Sequence, residues 1–141
     1  MIKLDTPIDQ LNKINQGTLM EQLHIEYLEV RDGYVKARMP VNERTKQPMG
    51  ILHGGANLAL AETVGGLGSA LIVDLDEFDV RGSQMSANHV GTAHSGYVYA
   101  EAHIIHRGRN THVWNIDISD EEGKKVSTCR LTNFVLKRQP R

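Results

Sequence analysis

Glu62 stands inside an otherwise apolar stretch, and His53 with the Gly54-Gly55 pair lies just upstream, where a helix should begin. An ionised group resists transfer out of water and must be paired or put to use. A glycine pair that opens a helix offers unobstructed N–H groups at the positive end of the helix dipole. A carboxylate and an oxyanion-binding corner about two helical turns apart suit the hydrolysis of an acyl bond.

The elements that must position these groups follow from the pattern of the chain. Thr6-Pro7 and Asp9 form a helix start, with a hydroxyl N-cap and proline at the first helical position. Ile8, Leu11, Ile14 and Leu19 continue at helical spacing, and Gly17 can end the helix. His24 to Arg31 reads as a strand, and Asp32-Gly33 as a hairpin turn. Its partner, Tyr34 to Met39, sets Val35, Ala37 and Met39 on one face and Tyr34, Lys36 and Arg38 on the other. Pro40 stops it, and residues 41–52 form a polar loop.

From Ala56 to about Asp74 the chain is apolar on nearly every side, which predicts a helix wrapped by other structure. Interior glycines cost about 1 kcal/mol each relative to alanine, so Gly65, Gly66 and Gly68 imply close backbone packing. A sheet curling around the helix would supply it. After an acidic turn at 74–79, four strands follow: Val80 to Val90, Tyr97 to His106, His112 to Ser119 and Lys125 to Leu136.

Composition narrows the function classes. A chain of 141 residues is one domain by length, 1–141, and its 40% apolar and 23% charged residues fit a soluble globular protein. A net charge of -1 argues against nucleic acid as a partner. The single Cys129 excludes an intramolecular disulfide and reads as an inert half-buried thiol. With no leader pattern and no apolar run near the ~18 residues of a membrane span, the expected location is cytoplasmic. No histidine pair has i, i+4 spacing, and His103 and His106 are expected on opposite strand faces, so no metal is implied. His24, His94, His103 and His112 are expected to be structural or on the surface, and Trp114 to fill core or interface.

The element order and the block around Glu62 resemble the α+β hot-dog fold, a curled antiparallel sheet around one long central helix. More narrowly, the chain resembles acyl-CoA thioesterases of the 4-hydroxybenzoyl-CoA type that use a helix carboxylate. Within these it is similar to the bacterial 1,4-dihydroxy-2-naphthoyl-CoA thioesterase group. The residues that carry the resemblance are Arg44 to Pro48, Leu52 to Ala56, Leu60-Ala61-Glu62, Ala87 to Val90 and Arg130-Leu131-Thr132. It implies that Glu62 is the nucleophile, or the general base for water, and that the Gly55 N–H binds the oxyanion. It implies that Gln47 contacts the acyl or carbonyl region, that His53 lies beside the thioester, and that both face Glu62 of the partner subunit. His89, His106, Arg107, Gly108 and Arg109 match segments that hold CoA, whose phosphates suit cations. The implied assembly is a homodimer or homotetramer with sites at the dimer interface, and no metal or redox cofactor is implied. Two positions depart from the pattern. Gly66 stands where relatives carry Ser or Thr one turn after the Glu, and Gly91 where they carry an arginine.

Other readings of the same residues stay open. Glu62 could pair with a cation or face solvent, His53 could cap the helix, and Gln47 could be an exposed loop residue. Arg107 and Arg109 could be solvated charges at a turn glycine. A hot-dog hydratase or dehydratase would show an Asp and a His near the helix start, and no Asp occurs between Asp32 and Asp74. A non-catalytic acyl-CoA binding module would bring a DNA-binding segment, and the N-terminal stretch is short and not basic. The expected activity is hydrolysis of an aromatic or medium-size acyl-CoA to the acid and free CoA.

Overall fold

The computed structural model describes residues 1–140. Two short helices, α1 (Ile8–Lys13) and α2 (Leu19–Gln22), precede the hairpin of β1 (Glu26–Arg31) and β2 (Tyr34–Pro40). The long helix α3 (Gly54–Ile72) follows, then β3 (Phe78–His89), β4 (Tyr97–Arg107), β5 (Thr111–Ser119) and β6 (Lys125–Lys137). The strands make one antiparallel sheet in the order β1-β2-β4-β5-β6-β3. Val35, Ala37 and Met39 of β2, Val98, Ala100 and Ala102 of β4, and Trp114, Ile116 and Ile118 of β5 are buried with α3 in one core. Alternation of this kind puts every second residue on the helix-facing side. A curled antiparallel sheet around one long helix is the hot-dog arrangement.

The helix sits close to the sheet because two of its residues have no side chain. A Cβ at Gly65 would overlap Leu131 of β6, and one at Gly68 would lie 2.6 Å from Trp114 Cζ2. Ser69, fully buried, ties the layers together. Its Oγ accepts from Trp114 Nε1 at 2.8 Å and from Asn133 Nδ2 at 3.0 Å. With both lone pairs filled, its O–H must donate to His112 Nδ1, 2.8 Å away, so the His112 proton resides on Nε2. Asn133 Nδ2 also donates to the Gly65 carbonyl at 3.1 Å.

The two edges of the sheet differ. At β1, the Asn12 side chain accepts from the Tyr27 N–H at 2.8 Å and donates to the Tyr27 carbonyl at 3.1 Å, as a neighbouring strand would. At β3, no strand among the described residues lies beyond the ladder to β6.

Four expectations are corrected. Thr6 does not cap α1: Pro7 occupies the cap position, and Thr6 Oγ1 accepts from the Lys3 N–H at 2.8 Å instead. The central helix starts at Gly54 and ends at Ile72, because Val73 is already extended. His103 and His106 share the outer face of β4, since a bulge at Ile105 resets the alternation and pairs them with Asn115 and Val113. Finally, α3 is not wrapped on every side. Glu62 is exposed, and Ala59, Thr63, Gly66 and Ala70 are partly so, because the sheet covers only part of the helix circumference.

Trp114 has no room to retreat, so Gly68→Ala should destabilise the fold by about 2 kcal/mol despite alanine's higher helix propensity. A lowered urea midpoint at unchanged slope would be the sign of it.

Candidate active site

The loop before α3 is held by its own backbone. Buried Thr45 donates its hydroxyl to the Pro40 carbonyl at 2.9 Å, and its own carbonyl accepts the His53 N–H at 2.8 Å. Gln47 lies in a tight turn: its N–H donates to the Ile51 carbonyl at 2.8 Å and its Oε1 accepts from the Met49 N–H. Gly50, at φ +80°, completes that turn in a conformation that favours glycine. His53 is the N-cap of α3, and its Nδ1 accepts the Gly55 N–H at 2.8 Å. That bond makes Nδ1 the accepting nitrogen of the ring. The Gly54 N–H meets no acceptor among the described residues. A Cβ at Gly54 would sit 2.7 Å from His89 Nε2, so glycine lets the imidazole lie against the helix start. The His89 ring is fixed from its other side by Ser127 Oγ, 3.0 Å from Nδ1.

Glu62 is seven residues on from Gly55, about 10 Å along the axis. Its carboxylate reaches over the edge strand at Gly82, where any Cβ would overlap Oε1. The register of β3 against β6 shifts at this point, between Gly82 and Gln84. No described residue donates to the carboxylate or neutralises it. Beside it opens a groove of about 470 Å³ between α3 and the N-terminal segment. Ile14, Leu19, Met20 and Leu67 form its apolar walls, Glu62 stands at its rim, and Gly66 opens onto it.

The remaining candidates gather at the other end of α3, about 27 Å from Gly54 along the axis. Arg107 donates to Asp32 Oδ1 at 2.9 Å and to the Ile72 carbonyl at 3.3 Å, closing the helix C-terminus. Gly108 fits a turn in which a Cβ would lie 2.6 Å from His106 Nε2. Arg109 has no ion-pair or hydrogen-bond partner among the described residues. His112, Arg107 and Arg109 line one surface pocket of about 480 Å³ there. Burial holds the His112 imidazole below the usual histidine range, with Arg107 and His106 adding repulsion. Gly91 cannot carry a side chain without displacing backbone, since a Cβ would be 2.6 Å from the Lys125 carbonyl oxygen. Cys129 is buried, and burial pushes its thiol up. Among the described residues no His, Cys, Asp or Glu cluster suits a metal ion, and no helix is long and apolar enough to cross a membrane.

A corner of helix N–H groups, an unpaired carboxylate two turns on and an apolar groove beside it are groups able to serve acyl transfer. Residues 49–127 match the family described as the thioesterase superfamily. The chain belongs to the thioesterase superfamily. The proofreading thioesterase EntH of Cronobacter turicensis is 41% identical over 129 residues, spanning 92% of this chain and 93% of that protein. The 1,4-dihydroxy-2-naphthoyl-CoA hydrolase of Escherichia coli is 38% identical over 129 residues, spanning 92% and 94%. In three dimensions, the thioesterase PA1618 of Pseudomonas aeruginosa superposes with a TM-score of 0.92 at 39% identity, covering 95% of this chain and 96% of that one.

Within this thioesterase fold the structure brings Gln47, His53, Gly55 and His89 to one end of α3, Glu62 to its middle, and His106 to Arg109 to the other end. Sequence reasoning missed Gly82, Ser69 and the N-terminal groove walls. A glycine inside a strand signals close approach of another group, so Gly82 was detectable; Ser69 and Ile14 carry no such local mark.

The lowered proton affinity of His112 fixes a pH response. As pH falls through about 6.5, the unfolded chain takes up this proton before the folded one, so stability falls on the acid side. Urea midpoints measured from pH 7.5 to 5 should therefore drop in the wild type and drop less steeply in His112→Gln; parallel profiles would contradict the assignment.

Proposed function

We propose that this protein hydrolyses an acyl-CoA thioester with an aromatic or medium-size acyl group, releasing the acid and free CoA. The observation that carries the reading is the unpaired Glu62 carboxylate at the rim of an apolar groove in a thioesterase-superfamily chain. The name of the Escherichia coli relative, a hydrolase of an aromatic acyl-CoA, supports the aromatic choice.

Glu62 and the Gly55 N–H are too far apart along one helix to meet at a single carbonyl. The open edge of β3 offers the remedy, because a second copy can add its own β3 there. Antiparallel pairing of the two strands runs the two α3 helices in opposite directions. Glu62 then faces Gly55, His53 and Gln47 of the partner subunit. In this homodimer, or in a tetramer of two such dimers, each site takes groups from both chains.

The thioester carbonyl oxygen receives the Gly55 N–H, which until then donates to His53 Nδ1, and the Gly54 N–H lies free beside it. Glu62 either attacks the carbonyl carbon or takes a proton from water that attacks it. In both routes the C–S bond breaks and the CoA sulfur leaves, taking up a proton. In the first, water then cleaves the acyl-glutamyl anhydride. Gln47 steadies the acyl side. Arg109, with His89, His106, Arg107 and Gly108, serves the CoA moiety, the arginines on its phosphates. A cytoplasmic location is supported by the single unpaired cysteine.

Thiol release from a panel of acyl-CoAs tests this. Wild type should turn over aromatic and medium-size thioesters, and Glu62→Gln should lose at least about 100-fold in kcat. No turnover of any thioester by wild type would sink the enzyme reading, and an unchanged Glu62→Gln would reject the mechanism. Gly82→Ala is a milder probe, since only the flexible end of Glu62 must move. Its unfolding free energy should stay within about 0.5 kcal/mol of wild type, while kcat falls about tenfold as the carboxylate is pushed aside.

A further inference from the structure

We infer that Asn15 and Tyr27 form a polar floor to the groove beside Glu62 and select acyl groups that carry an oxygen remote from the thioester carbonyl. This rests on the reading of Glu62 as the group that acts on that carbonyl.

The polar side chains lining the groove are Glu62, Thr63, Asn15 and Tyr27. Glu62 stands at the rim, and Thr63 commits its hydroxyl hydrogen to the Ala59 carbonyl at 2.7 Å. Asn15 and Tyr27 are buried, at 4% and 2% exposure. The Tyr27 O–H donates to Asn15 Oδ1 across a long 3.3 Å, and the buried Asn15 Nδ2 has no acceptor among the described residues. Turning the amide over moves the unpaired group without removing it. Nδ2 would then donate to the phenol oxygen, and the phenol hydrogen would have no acceptor among the described residues. A buried polar group without a partner is destabilising, so the fold gains nothing from this arrangement.

Both residues are fixed from behind. The Asn15 carbonyl accepts the Thr18 hydroxyl at 2.6 Å and the Thr18 N–H at 3.2 Å. Asn12 pairs with both backbone groups of Tyr27. The terminal torsion of asparagine is soft, so the amide can turn toward a guest while its backbone stays in place. Burial pushes the Tyr27 phenol up, which keeps it a neutral hydroxyl able to donate and to accept. Around this pair Ile14, Leu19, Met20 and Leu67 offer only apolar surface. A hydrocarbon acyl group that fills the groove therefore leaves the amide and the phenol unpaired. An acyl group of the same shape with a hydroxyl or keto oxygen supplies the partner they lack. A site with buried polar groups discriminates against the analogue that leaves them unpaired.

The test uses the full chain, the Tyr27→Phe variant and the double variant Asn15→Leu/Tyr27→Phe, which removes both polar partners together so that neither is stranded. Substrates come in pairs that exchange hydroxyl for methyl. One pair is 4-(hydroxymethyl)benzoyl-CoA and 4-ethylbenzoyl-CoA; the other, with a chain that can bend, is 6-hydroxyhexanoyl-CoA and heptanoyl-CoA. The ratio of kcat/KM, hydroxyl over methyl, should be about tenfold higher in wild type than in the double variant for at least one pair. Tyr27→Phe alone should lower it in the same direction. Affinities for two thioethers that cannot be hydrolysed, S-[4-(hydroxymethyl)phenacyl]-CoA and S-(4-ethylphenacyl)-CoA, should show the same preference. A role confined to the fold would change the melting temperature and leave these ratios alone, and equal ratios in wild type and double variant would overturn the inference. If wild type hydrolyses no thioester, the reading of Glu62 fails, and the preference between the two thioethers alone decides the role of Asn15 and Tyr27.

Discussion

Close approach between α3 and the strands β5 and β6 is the constraint on which the rest of this structure depends. Gly65 and Gly68 remove the side chains that would hold helix and sheet apart, and Leu131 and Trp114 fill the space released. Ser69 then locks the contact by taking hydrogen bonds from Trp114 and Asn133. Because successive residues are turned by about 100°, pinning 65, 68 and 69 inward fixes the direction of every other side chain. Glu62 and Gly66 are turned outward by the same stroke. The orientation of the Glu62 carboxylate is thus a by-product of packing on the opposite side of the helix.

The same helix has two unlike ends. No acidic side chain stands in its first turn and no basic one in its last. At the start, an imidazole supplies the capping acceptor and one glycine N–H is left over. Positive potential at that end is therefore available to a group from outside. At the far end, the Arg107 guanidinium comes from β4 to meet the last carbonyl, so the negative end of the dipole is answered within the fold. One end is satisfied and the other is kept open.

Much of the architecture was legible in the sequence, because strands that face a helix on one side and solvent on the other must alternate. β2, β4 and β5 do so, and their inward residues are the ones expected. The bulge at Ile105 was not legible: two successive isoleucines look alike whichever one is extra. The outward sector of α3 was hidden for a different reason. Alanine and glycine count as apolar in any pattern, yet Ala59, Gly66 and Ala70 form its partly exposed face. The candidate residues at the helix start were found from type and spacing. Their convergence with His89 and Ser127 depends on a strand more than thirty residues away, and no local rule reports such a distance. Asn12 carries no mark at all, since its role exists only once β1 lies beside it.

The pairing of Asn12 with both backbone groups of Tyr27 has a consequence for how many chains a sheet of this kind can recruit. A strand whose outer hydrogen bonds are already taken cannot serve as a template, and β1 has been closed at Tyr27 by a side chain from its own protein. In the proposed pairing through β3, that leaves each subunit a valence of one. Monomers with a single adhesive side pair off and stop, whereas monomers with two would add end to end into a filament. In the proposed pairing, one asparagine near the start of the chain thus acts as a terminator of polymer growth, at the sheet edge opposite β3.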